Sequence, residues 1–198
     1  MSPLSQPSEP PPRPDEPLSF EATFREHATF VWRVLRRLGV RDAEVDDVCQ
    51  EVFLVVHRRL DTFHGGSSVR TWIYGICTRV ASEHRRARGR RKEHLSPDDR
   101  PPDHHVDASQ ETDVDRGRAL GWLDRALDHL DDDKRAVFVA FEIESTPMIE
   151  VAAAVGCPVQ TAYARLYAAR RIVQTEMTKM AGPPERCAPG PKERRTDR

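Results

Sequence analysis

At 198 residues the chain has room for one large domain or two small ones, and no apolar run approaches the ~18 residues a membrane-spanning helix needs. The N-terminus, MSPLSQPSEPPPRPDEP, lacks the basic start and apolar stretch of a secretory signal. Cys49, Cys77, Cys157 and Cys187 show no paired spacing, which argues for a reducing cytoplasm and against a disulfide framework or a zinc site. The formal net charge of −1 hides a sorted distribution: residues 70–92 carry eight Arg or Lys against one acid, and residues 97–115 carry seven acids against one base. Segregation of this kind suits an anionic partner.

Proline marks the boundaries. Fourteen of the sixteen prolines fall before Leu18, between Pro97 and Pro102, or after Gly182. These stretches are polar and lack apolar periodicity, so they read as a disordered tail (1–17), a flexible acidic linker (93–115) and a second disordered tail (182–198). Two compact pieces remain, 18–92 and 116–181, and neither shows an internal repeat.

The first piece predicts three helices. Phe20, Phe24, Val31, Leu35 and Leu38 recur at helical spacing between a candidate N-cap, Ser19, and a stop at Gly39. A second helix is expected from Asp42, with Val45, Val48, Cys49, Val52, Val56 and Leu60 inward and five acids in its first ten residues, which suits a helix N-terminus. A glycine-bearing loop through Phe63, His64 and Ser67 leads to a third helix near Ser68. There Val69, Trp72, Ile73, Ile76 and Val80 face inward before the chain runs into Arg85, Arg86, Arg88, Arg90, Arg91 and Lys92.

The second piece is also helical. Leu120, Leu123, Leu127 and Leu130 form one stripe, and Val137, Phe138, Phe141 and Ile143 lie in the next helix. Ser145, Thr146 and Pro147 predict a cap followed by a first-turn proline. A short helix then stops at Gly156, and a last helix with Val159, Ala162, Leu166, Ala169 and Val173 inward follows Pro158. No segment alternates with period two, so the expected fold is all-α, without a sheet.

Three constellations stand out. Ala152, Gly156, Ala162 and Leu166 have the spacing of a helix-turn-helix, in which small residues permit a tight crossing. Its second helix would present Gln160, Thr161, Tyr163, Ala164, Arg165, Tyr167 and Arg170, types that read base edges or hold phosphates; the plainer alternative is a helical hairpin with a solvated basic face. Arg79, Arg86 and Arg90 share one face of the third helix and suit phosphates, with Phe63 and His64 placed to enclose an unstacked base; alternatively they form a solvated charge run at a helix C-terminus. Asp47, Gln50, Glu51, Leu54 and Arg58 share the outer face of the second helix, where a leucine among charges hints at a protein contact.

Other candidates are weak. His104 and His105 beside Asp103 and Asp107 sit in the acidic linker, where a solvated linker explains them better than a metal does. Trp32 and Trp72 read as core residues. No phosphate loop, nucleophile elbow or zinc-protease motif occurs, so neither a cofactor nor catalysis is expected.

Taken together, these segments resemble a known family. Residues 42–57 (DAEVDDVCQEVFLVVH) resemble the polymerase-binding helix of bacterial RNA polymerase sigma factors. Phe63 and the run Arg70-Thr-Trp-Ile-Tyr-Gly-Ile resemble the segment that reads and melts the −10 element, and residues 149–166 resemble the helix-turn-helix that reads the −35 element. Two domains joined by a linker match the small extracytoplasmic-function (ECF) type. The resemblance implies that Asp46, Asp47, Gln50, Glu51 and Leu54 dock on the β′ clamp helices of core RNA polymerase, with the second domain near the β flap. It implies −10 contacts from Phe63, His64, Ser67, Arg70, Arg79 and Arg86, and −35 contacts from Gln160, Thr161, Tyr163, Ala164, Arg165 and Arg170. It also implies a chain that makes and breaks no bond, works in the cytoplasm and is restrained by an anti-sigma factor. The chain departs from the family's common residues at Arg79, often asparagine, at Gln160, often glycine, and at Tyr163, often lysine. Two other readings use the same residues: a helix-turn-helix regulator that never docks on polymerase, and an adaptor that binds only proteins.

Overall fold

The computed structural model describes residues 18–94 and 114–181. The two expected tails, most of the acidic linker and the His104–His105 pair lie outside them. Every regular element among the described residues is helical, and the chain divides into two compact units at Arg91/Lys92.

The first unit holds α1 (Phe20–Arg37), α2 (Val45–Arg59) and α3 (Val69–His94). Val31, Val34 and Leu35 of α1, Val45, Val48, Val52 and Val56 of α2, and Ile73, Ile76 and Cys77 of α3 are fully buried and form its core. Helix α1 ends because Gly39 turns to φ 87. Its N–H then donates to the Arg36 carbonyl, and that of Val40 to the Leu35 carbonyl, satisfying two carbonyls that the helix leaves open. At the other end, Ser19 occupies the N-cap position, but its hydroxyl makes no cap bond. Phe24, expected inward, is 46% exposed, although its ring meets Phe53 edge-on at 4.6 Å. Helix α2 starts at Val45 rather than Asp42, because Arg36 of α1 draws Asp42 into an ion pair at 2.5 Å and residues 42–44 form a turn. Trp32, expected in the core, is 37% exposed: the Arg36 guanidinium covers its ring at 5.0 Å and its indole N–H donates to Asp46 Oδ1 at 3.1 Å. Burial pushes the thiol pKa of Cys77 far up and raises that of Cys49, so both behave as small apolar groups.

His27 is buried in α1, and that burial lowers its pKa below the ordinary 6.5, opposed by Glu26 and reinforced by Arg70. The unfolded chain therefore takes up a proton at a higher pH than the folded one. Stability is complete above about pH 6.5 and falls as the pH drops through the unfolded value. Thermal unfolding at pH 7.5, 6.5 and 5.5 is expected to show this loss in the wild type and a flatter profile in His27→Gln. Parallel profiles would contradict it.

The second unit holds α4 (Val114–Asp128), α5 (Asp132–Phe138), α6 (Met148–Val155) and α7 (Val159–Ala181). Asp131 caps α5 by accepting from the Lys134 N–H at 2.8 Å. Beyond α5 the backbone widens into a π turn over Val139–Ile143, with the Glu144 N–H on the Val139 carbonyl. That turn displaces the expected cap. The Thr146 N–H is drawn back to the Ala140 carbonyl, Ser145 takes φ 53, and Pro147 becomes the N-cap rather than the first helical residue. Gly156 at φ 68 ends α6 with the same pair of bonds as Gly39, here to Ala153 and Ala152. Ala152 and Ala162 are fully buried where α6 and α7 meet, whereas Val159 lies at the exposed start of α7.

Candidate nucleic-acid interface

Helix periodicity sorts the side chains into three surfaces. On α2, Asp47, Gln50, Glu51 and Leu54 are all exposed at positions i, i+3, i+4 and i+7, so they form one stripe. Leu54 is 54% exposed, between Glu51 and the exposed Arg58 along this stripe. Asp46 is exposed too, but one position round the helix, where the Trp32 indole holds it.

The second surface begins where α2 tightens into a short 3₁₀ turn, Leu60–Thr62. The half-buried Phe63 then packs its ring 5.3 Å from that of Trp72, while His64 projects into solvent. Gly65, at φ 73, turns the chain back toward α3 past the half-buried Ser67. Ser68 caps α3 by accepting from the Thr71 N–H at 3.0 Å. Arg70 is exposed with its guanidinium 4.2 Å from the Phe30 ring, and Arg79 folds its Nε–H onto the Gly75 carbonyl.

The structure splits the basic run that the sequence presents as one cluster. Arg85 donates to the Leu38 carbonyl at 3.2 Å, and Arg88 lies 3.6 Å from Glu44. Spaced i, i+3, these two face the α1–α2 corner and hold α3 against it. Arg79, Arg86 and Arg90 lie exposed on the other side. Arg85→Ala is therefore expected to cost roughly 1–2 kcal/mol of stability. Arg86→Ala should leave the melting temperature unchanged and weaken promoter DNA binding by the polymerase complex with a shallower salt dependence. Equal melting losses for both would refute the split.

The third surface is the N-terminal half of α7. Gln160, Thr161, Tyr163 and Ala164 are exposed, as are Tyr167, also expected outward, and Arg171, which the sequence reading did not single out. Arg171 could have been found as the residue four beyond Tyr167 on the same face. Helical rotation carries Arg165 about 140° round from Gln160, whereas Arg170, three residues beyond Tyr167, lies beside the tyrosines with its guanidinium 5.9 Å from the Tyr167 ring. Arg165 pairs with Asp133 at 2.5 Å, and Arg170 pairs with Glu142 at 2.5 Å while lying over the Phe141 ring. Among the described residues no group of three His, Cys, Asp or Glu is placed to hold a metal ion, and no helix is long and apolar enough to cross a membrane.

Residues 23–91 match the model for Sigma-70 region 2, and residues 120–173 match that for Sigma-70, region 4. The chain is 29% identical over 154 residues to the ECF RNA polymerase sigma-E factor of Escherichia coli K12, covering 70% of this chain and 76% of that one. It is 30% identical over 151 residues to the RNA polymerase sigma-H factor of Pseudomonas aeruginosa, covering 68% and 74%. The chain belongs to the sigma-70 family and is of the ECF type. Its fold matches the sigma factor RpoE in complex with the anti-sigma factor NepR from Bartonella quintana (TM-score 0.66, 20% identity, 80% of this chain and 96% of that one). It also matches CnrH in complex with the cytosolic domain of CnrY (TM-score 0.55, 23% identity, 79% and 85%). As an ECF sigma factor it joins core RNA polymerase and directs initiation at specific promoters.

Proposed function

We propose that the two units divide this work, with 18–92 serving polymerase docking and the −10 element and 116–181 serving the −35 element. The observation that carries the reading is the α2 stripe, where an exposed leucine stands among Asp47, Gln50 and Glu51 on a helix whose other side is core. That stripe docks on the β′ clamp helices, with Asp46 at its edge, while 116–181 lies near the β flap. Phe63, His64 and Ser67 hold an unstacked −10 base, and Arg70, Arg79 and Arg86 hold its backbone. The start of α7 enters the −35 major groove with Gln160, Thr161, Tyr163 and Ala164, and Arg165 and Arg170 exchange Asp133 and Glu142 for phosphates when DNA arrives. The chain catalyses nothing itself and acts in the cytoplasm. An anti-sigma factor restrains it, a proposal supported by the complex in which the related RpoE fold was solved.

Site-specific photo-cross-linking in the polymerase–promoter complex tests the assignment. A photoreactive residue at position 54 is expected to label β′, one at 64 the −10 strand, and one at 164 the −35 duplex. DNA labelling from position 54, or none at all, would refute it.

A further inference from the structure

The recognition helix carries an unusual choice of side chains for its outward face. Two of its three arginines, Arg165 and Arg170, are held in ion pairs with Asp133 and Glu142. Beside the exposed Arg171 projects an aromatic pair: Tyr163 is 40% exposed, Tyr167 is 61% exposed, and their rings stack with centroids 6.2 Å apart. Ala164 flanks the pair on the Gln160 side and keeps the helix surface low there, so a groove floor can approach the rings. Two large rings left in water on a helix of a small domain mark a contact surface rather than a core.

We infer that Tyr163 and Tyr167 read thymine in the −35 element through its C5-methyl group, so that apolar contact contributes to the recognition of the element by this sigma factor. The inference rests on the reading of α7 as the −35 helix. In the major groove thymine alone presents a methyl group, and an aromatic ring offers no fixed donor pair for guanine. The ring spacing sets the register. At roughly 3.4 Å per base-pair step, 6.2 Å spans about two steps, so the two methyl groups belong to thymines separated by one base pair. DNA is favoured over a protein partner because the pair lies within the first three turns of the second helix of a helix-turn-helix, where base edges are met, and continues the face of Gln160.

The test uses the full chain bound to core polymerase on a promoter found by transcribing genomic fragments. Each −35 thymine is replaced in turn by deoxyuridine, which removes only the methyl group. Initiation is expected to fall about fourfold at each of two positions spaced two base pairs apart. Tyr163→Ala and Tyr167→Ala should each lose sensitivity to uracil at one of these positions, while Tyr163→Phe keeps both, because the ring and not the hydroxyl makes the contact. Equal initiation from thymine and uracil templates overturns the inference but leaves the parent reading standing, provided a scrambled −35 element still abolishes initiation. If scrambling has no effect on the unmodified template, the parent reading falls and takes the inference with it. Wild-type initiation by the double alanine variant, with weakened polymerase binding, overturns the inference in favour of a protein-facing pair.

Discussion

Arg135→Ala is expected to unfold the second unit at ambient temperature while leaving the first unit's helices in place. Arg135 is 2% exposed. Its Nε–H donates to the Leu127 carbonyl at 2.9 Å and its Nη2 to Asp128 Oδ1 at 2.7 Å, at the end of α4 where carbonyls have no donors within the helix. The guanidinium thus ties the end of α4 to α5, and α5 in turn packs on α7. Truncation removes one of the two donors to the Leu127 carbonyl, the other being the Leu130 N–H, and leaves a cavity the size of a long side chain, together about 3 kcal/mol. A unit of this size has roughly 3–5 kcal/mol in total. The partner carboxylate is a poor target by comparison. Asp128 is largely exposed, so Asp128→Ala should cost less than about 1 kcal/mol. Amide hydrogen exchange separates the units: protection should vanish over 121–180 in Arg135→Ala and persist over 20–90. Retained protection across α5 and α7 would contradict the account of this arginine.

Charge reversal on the α2 stripe is expected to have the largest functional effect. Asp47→Lys with Glu51→Lys should weaken core polymerase binding by a factor on the order of a hundred, with an inverted dependence on salt. Both side chains are exposed and turned away from the core, so the melting temperature should hardly move. Leu54→Ala removes the apolar centre of the same patch and should cost about tenfold without changing the salt dependence. Wild-type affinity in the double reversal would mean that the stripe is solvated surface and that polymerase is held elsewhere.

The all-helical fold was legible because apolar spacing is a direct record of which side of a helix meets the core. The α2 stripe, Ile73 and Ile76 of α3, the stop at Gly39 and the turn at Gly156 read correctly from the chain, whereas Val69, Trp72 and Val80, also expected inward, are only half-buried because they lie at the edges of the α3 core face. What the sequence concealed was the engagement of long polar side chains. Arg85, Arg86 and Arg88 look alike in a row, yet a single turn of helix sends two of them onto the Leu38 carbonyl and Glu44 and the third into solvent. The partners of Arg165 and Arg170 were hidden because nothing local announces that Asp133 and Glu142, 32 and 28 residues away, will meet them. The π turn was invisible for a similar reason: it depends on where the Thr146 N–H finds an acceptor, not on the residues' propensities. Trp32 was misplaced because an indole can be covered by an arginine as readily as by a core.

The most direct test of the central claim is transcription in vitro. Core RNA polymerase is mixed with genomic fragments of the source organism, with and without this chain, and the transcript starts are sequenced. The account predicts discrete starts that need the chain and share a −35 and a −10 element at fixed spacing. A chain that binds those fragments on its own, fails to bind core polymerase and produces no new starts would contradict it.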